Sequence, residues 1–240
     1  MEKMPGKESP LELLNKEVRD VTKNKLDEEM TETVKIAFFT QEQSLLIVPN
    51  RVPGQECMYC RETRKLLEEV SALTDKIELE TFDFVAAKDK AAEYGVDKIP
   101  AAVIVGQAGP GPKFYGIPSG YEYTSLIEAL IDVSKGSTGL GEKTKAALKS
   151  LDKDIHIQVF VTPTCPYCSI AVRIAHQMAL ESPRIRAEMV EATEFPHLAQ
   201  KYNVYGVPKT VINETISFEG AVPEEVFLGH VLKAAGQVKT

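Results

Sequence analysis

The chain has 240 residues, of which 43% are hydrophobic and 26% charged, and its formal net charge is −7. This is the composition of an ordinary globular protein with apolar material for one or two cores. The acidic balance, without any Lys/Arg cluster, excludes nucleic acid or an anionic membrane as the main partner. No run approaches the roughly 18 apolar residues of a membrane span. The opening residues, Met1 to Glu8, carry no apolar stretch of the secretory-signal kind, so the cytoplasm is the expected location.

In chain order, Leu11–Lys23 is predicted to be a helix and Val34–Phe39 a strand. Thr40–Glu56 follows as an insertion, with the apolar run Leu45-Leu46-Ile47-Val48 and the breakers Pro49, Pro53 and Gly54. Cys57–Leu73 reads as a helix, Ile77–Asp83 as a strand, Ala87–Tyr94 as a helix, Ala101–Val105 and Lys113–Tyr115 as strands, and Glu122–Ser134 as a helix. Three glycines within Lys135–Gly141 mark a boundary. Beyond it, Thr144–Leu151 reads as a helix and Ile155–Val161 as a strand. Ile170, Ala171, Ile174, Ala175, Met178 and Ala179 recur at helical spacing after Cys168. Arg184–Val190 is a predicted strand, Phe195–Tyr202 a helix with Pro196 in its first turn, Val207–Ile212 and Thr215–Phe218 a strand pair, and Pro223–Ala235 a closing helix.

These elements repeat. Cys57 and Cys165 are 108 positions apart, as are Cys60 and Cys168, Tyr59 and Tyr167, Ala91 and Ala199, Tyr94 and Tyr202, and Pro100 and Pro208. Each copy reads β-α-β-α-β-β-α after a leading helix. The expected fold class is therefore α/β: two tandem thioredoxin-like folds, each a central mixed β-sheet flanked by helices. The expected division is 1–138 with Cys57 and Cys60, and 139–240 with Cys165 and Cys168.

All four cysteines lie in the two Cys-x-x-Cys pairs, Cys57-Met58-Tyr59-Cys60 and Cys165-Pro166-Tyr167-Cys168. A structural disulfide framework uses dispersed cysteines, so close pairs point to redox or metal chemistry. Thiol–disulfide exchange needs an attacking thiolate and a second thiol to resolve the mixed disulfide. A Cys-x-x-Cys at the start of a helix supplies both, because the free N–H groups and dipole there stabilise S⁻. Cys57 and Cys165 are the expected nucleophiles, and Cys60 and Cys168 the buried resolving thiols. Pro166 removes an N–H that Met58 retains, so the two centres should differ in potential. Tyr59 and Tyr167 should line the sites. Asp83 and Glu191 are repeat equivalents on the strand face expected to point toward Cys60 and Cys168, which makes them candidate proton acceptors; strand-end capping is the competing role. His156, His176, His197 and His230 have no repeat partners and read as structural. A zinc or iron–sulfur site is a remote alternative, since 104 residues separate Cys60 from Cys165, far more than the usual linker.

Phe160-Val161-Thr162-Pro163-Thr164-Cys165-Pro166-Tyr167-Cys168, Val190-Glu191-Ala192, Tyr202-Asn203-Val204, Val207-Pro208-Lys209, Phe218-Glu219-Gly220-Ala221 and Tyr115-Gly116-Ile117-Pro118-Ser119-Gly120 resemble the glutaredoxin-like protein disulfide oxidoreductases of archaea and some bacteria. The resemblance covers nearly the whole chain. It implies reduction, oxidation and isomerisation of protein disulfides, electrons from a thioredoxin reductase, and no tightly bound cofactor beyond the redox-active pairs. It also implies cis peptides at Ile99-Pro100 and Val207-Pro208, beside which an extended substrate would bind. The chain departs from that family in the Thr40–Glu56 insertion, which bears on access to the first pair. It departs from ordinary thioredoxins in two ways: Arg51 and Val159 stand where those proteins have a carboxylate, and Glu56 and Thr164 stand in place of a tryptophan. The second centre, with Pro166 and no insertion, is expected to dominate. A glutathione-dependent glutaredoxin is the alternative, against which stands the lack of a paired-glycine segment at Phe218–Ala221.

Overall fold

The computed structural model describes residues 13–41 and 57–237. They form α1 (Lys16–Glu29), β1 (Val34–Thr40), α2 (Cys60–Ser71), β2 (Ile77–Asp83), α3 (Lys88–Glu93), β3 (Ala101–Gly106), β4 (Gly109–Tyr115) and α4 (Glu122–Lys135), followed by α5 (Glu142–Lys149), β5 (Ile155–Val161), α6 (Cys168–Glu181), β6 (Ile185–Glu191), α7 (Pro196–Lys201), β7 (Lys209–Ile212), β8 (Ile216–Glu219) and α8 (Glu224–Ala234). The element order matches the sequence pattern in both halves. The predicted insertion lies, from residue 42 to 56, outside the described residues.

Two boundaries move for clear reasons. The first helix starts later than its apolar pattern suggests and runs on to Glu29. Asn15 caps it by accepting the Val18 N–H, while Leu13 and Leu14 lie outside it with their N–H groups donating to the Glu69 carboxylate. The strand predicted at Lys113–Tyr115 begins at Gly109, because past a bulge between Val103 and Val105 the pairing continues, Val105 with Pro110 and Gly106 with Gly109. Gly136, at φ 61°, ends α4 in a left-handed conformation.

The strands form one eight-stranded sheet in the order β2-β1-β3-β4-β6-β5-β7-β8. Each half contributes four strands. Parallel pairing of β4 with β6 (Lys113 with Glu188, Phe114 with Met189, Tyr115 with Val190) joins them edge to edge. One face packs against α1, α2, α4, α5, α6 and α8, with Leu67, Phe114, Leu126, Val161 and Phe227 fully buried. The other face is closed by α3 and α7 over Phe39, Tyr115 and Phe160. Each of these large apolar side chains contributes about 1.5–3 kcal/mol by leaving water.

The seam holds a buried charge network. Glu188 is fully buried; Arg186 Nε and His156 Nε2 each lie 3.0 Å from its carboxylate, Lys98 Nζ lies 3.6 Å away, and Gln158 donates to it at 3.4 Å. Burial alone would raise its pKa, but the neighbouring His156 and cations hold it down at about 2. On the opposite strand, Lys113 donates to Gly95 O, and burial lowers its pKa to about 8. The remaining histidines make aromatic contacts. His176 is buried edge-on to Phe114, His197 lies edge-on to Phe195, and His230 stacks on Phe218.

Candidate active site

Both cysteine pairs are closed as disulfides, with Cα–Cα separations of 5.4 Å for Cys57–Cys60 and 5.5 Å for Cys165–Cys168. In each, the second cysteine is the first residue of a helix, α2 or α6, whose apolar face docks on the sheet. Cys60 is 4% exposed and Cys168 0%, so the second sulfur of each pair is held inside. Cys57 is partly exposed; Cys165 is more enclosed, at 9%. The first cysteines precede the helices by three residues rather than sitting within them, and the Cys57 N–H donates to the Gln41 side chain.

The Ile99-Pro100 and Val207-Pro208 peptides are both cis. Val207 O lies 3.7 Å from Cys165 Sγ, which puts the Val207-Pro208 turn directly beside the second pair. Gly116 N–H donates to Pro100 O and Gly220 N–H donates to Pro208 O, so the next strand closes the same corner in both halves. Tyr167 is 65% exposed and Tyr59 37%, both at the surface next to the sulfurs.

The two sequence-derived carboxylates differ. Asp83 accepts the Val85 and Ala86 N–H groups and caps the turn into α3. Glu191 makes the equivalent turn with one oxygen, accepting from Thr193 Oγ1 and Glu194 N–H, but its other oxygen is buried without a partner.

Two further carboxylates were not anticipated. Glu122, the first residue of α4, is 1% exposed; Ser125 donates to one oxygen and the other has no partner. Tyr121 N–H donates to Pro163 O, two residues before Cys165. Further along, Glu128 pairs with Arg173 and Asp132 accepts from Gln177. These contacts run α4 alongside α6 with both N-termini at the same end, bringing Glu122 to the end of α6 that carries Cys165 and Cys168. Desolvation pushes the Glu122 pKa up to about 7. Glu194, in the second half, reaches the first: it accepts the Ile117 N–H at 2.6 Å, and burial raises its pKa to about 7, with the charges of Glu191 and Glu62 adding to the rise. An acidic residue in a first helical turn ordinarily reads as a partner for the helix dipole, so only burial distinguishes Glu122. Glu194 falls where the repeat has Ala86, and that break was its one sequence signal.

A thioredoxin-like sheet carrying a Cys-x-x-Cys pair at the head of a helix in each half, its second cysteine buried, defines a dithiol–disulfide oxidoreductase of tandem thioredoxin-fold type. The thioredoxin domain model matches residues 155–233. The chain is similar in structure to the protein disulfide oxidoreductase of Aeropyrum pernix, at 30% identity and a TM-score of 0.82, covering 94% of this chain and 96% of that one. It is also similar to a structure of the alkylhydroperoxide reductase AhpF from Enterococcus faecalis, at 26% identity and a TM-score of 0.79, covering 91% and 99%. Among curated sequences it is 27% identical over 171 residues to the corresponding alkyl hydroperoxide reductase protein of Pseudomonas aeruginosa, covering 71% of this chain and 31% of that protein. The chain thus spans about a third of the length of the curated relatives it matches. With the end-to-end match to the Aeropyrum pernix enzyme, the chain belongs to the protein disulfide oxidoreductase family.

Proposed function

We propose that the two units, 1–138 and 139–240, exchange dithiols for disulfides on protein substrates through Cys57/Cys60 and Cys165/Cys168, with the second centre doing most of the work. The observation that carries this reading is the Cys165–Cys168 pair at the head of α6, with Val207 O 3.7 Å from Cys165 Sγ and Cys168 fully buried. In reduction, the Cys165 thiolate attacks one sulfur of the substrate disulfide, forming a mixed disulfide and releasing the other substrate sulfur as a thiolate. The Cys168 thiol then loses its proton and attacks Cys165 Sγ. This closes the Cys165–Cys168 disulfide and releases the second substrate thiolate, which takes up a proton. Glu122 is the proton acceptor we assign to Cys168. It is buried, has an unpartnered oxygen, and titrates near the pH at which the transfer must run in both directions. Glu191 is a second candidate through its free oxygen, whereas Asp83 acts as a turn cap. Ile99, Pro100, Val207 and Pro208, with Tyr59 and Tyr167, line the substrate grooves. A thioredoxin reductase fits as electron donor, and the cytoplasm as the setting.

Replacing Cys165 and Cys168 together by Ser should lower insulin reduction at least tenfold, while the same change at Cys57 and Cys60 should leave most of it. Cys168→Ser alone should trap substrate on Cys165 as a mixed disulfide, read by non-reducing electrophoresis. Full activity in the Cys165→Ser/Cys168→Ser variant would move the work to the first centre.

A further inference from the structure

Among the described residues, the carboxylates around the two centres are arranged differently. At the corner formed by Pro100 and Gly116, a Cβ on Gly116 would lie 2.6 Å from Glu191 Cβ and 2.8 Å from Glu194 Oε1. Glu194 is bonded to the next N–H, that of Ile117. Glu62, two residues after Cys60 in the first turn of α2, is close enough for its charge to act on Glu194. Glu191 is 2% exposed with Oε1 unpartnered, and Glu62 Oε2 is likewise buried and unpartnered. None of the three pairs with a lysine, arginine or histidine among the described residues, and Arg61 and Arg64 on the same helix form no ion pair with them. At the second centre the equivalent corner is bare: nothing lies within 4 Å of a Cβ on Gly220. The repeat position of Glu62 is Ile170, which is 50% exposed, next to the exposed Tyr167.

We propose that Glu62, Glu191 and Glu194 make the Cys57–Cys60 centre selective by charge, so that it exchanges with cationic and neutral thiols and disulfides and disfavours anionic ones of the glutathione type. The Cys165–Cys168 centre, with Glu122 buried behind its sulfurs and an open corner at Gly220, discriminates less by charge. The proposal rests on the redox reading of both pairs. Its cause is Coulombic: a ligand that places a carboxylate beside the attacking sulfur meets two or three like charges in a partly desolvated corner, whereas an ammonium meets opposite ones. The second half supplies two of the three charges, so selectivity of the first centre is a property of the fused chain.

The test uses the intact chain with one centre removed at a time, Cys165→Ser/Cys168→Ser or Cys57→Ser/Cys60→Ser. Each is reduced and then mixed at pH 8 and low ionic strength with cystamine, hydroxyethyl disulfide or dithiodiglycolate; acid quenching and mass spectrometry give the rates. In each reaction the Cys thiolate displaces one small thiolate and its partner displaces the second, so two electrons pass to the reagent. The cystamine-to-dithiodiglycolate rate ratio should be at least about tenfold larger at the first centre than at the second. High salt should collapse that excess. Glu194→Gln should reduce it, and Glu62→Gln, which leaves the seam untouched, should do the same. A change in Cys57 acidity alters all three rates together and cancels in the ratio. Equal ratios at the two centres, or a ratio that neither substitution moves, overturns the charge selectivity while leaving the redox function standing. Failure of both centres to reduce hydroxyethyl disulfide overturns the redox function itself.

Discussion

The grooves beside Pro100 and Pro208 are built from the same parts, yet one is walled and the other open. In both, a glycine at positive φ follows the fourth strand of its half and donates its N–H back to the proline carbonyl. In the first half that strand is interior, paired with β6, and the turn after β6 fills the corner with Glu191 and Glu194. In the second half the strand is the sheet edge and the corner is empty. The repeat preserves the sulfur chemistry, while head-to-tail joining gives each copy a different neighbour. The joining also works in the other direction, because α4 of the first half delivers Glu122 to the second centre.

The largest difference between the copies should appear at Glu188 and Glu80, which occupy equivalent positions on β6 and β2. Glu188 is fully buried among Lys98, His156 and Arg186, whereas Glu80 is 48% exposed in a surface pair with Lys35. Glu188→Gln should cost about 1.5–3 kcal/mol, because the partly exposed Arg186, His156 and Lys98 lose the carboxylate they share, and Glu80→Gln about 0–1 kcal/mol. Urea unfolding of both variants checks this; equal costs would mean that the seam network is not a stabilising feature. Because the Glu188 pKa is depressed to about 2, its contribution is present above the usual carboxylate range and is lost as pH falls toward 2.

A smaller effect of opposite sign is expected at Glu122. Its folded pKa, about 7, lies above the usual 4.5, so the fold is favoured below pH 4.5 and loses that advantage as pH rises through 7. Glu122→Gln should match the native chain in stability at pH 4 and exceed it at pH 8 by about 3 kcal/mol at most. The same variant should slow reduction at the second centre and flatten its pH profile near 7, leaving the first centre unaffected. Stabilisation without a loss of rate would make Glu122 a passive buried acid.

Smallest is the difference between Gly116→Ala and Gly220→Ala. Both introduce a side chain at positive φ, which costs about 1–2 kcal/mol. Only at Gly116 must the β6–α7 turn also give way, adding about 1–3 kcal/mol. Thermal unfolding of the pair measures the excess. Identical melting temperatures would show that the wall beside Pro100 yields freely.

The sequence alone determined the element order, the repeat, the cysteine and proline positions and the class of chemistry. These are local features: period-2 and period-3.6 apolar patterns, residue spacings, and a Pro 43 residues after each first cysteine. Where local signals compete they mislead, as when Leu13 and Leu14, which dock outside α1, read as part of its apolar face. The tertiary structure decided the single eight-stranded sheet, the burial of Glu188, Glu122 and Glu194, and the wall beside Pro100. Each depends on which surface meets which, over separations such as the 77 positions between Ile117 and Glu194. A carboxylate's chemistry follows from its desolvation, and desolvation is set by packing between halves that no local pattern records.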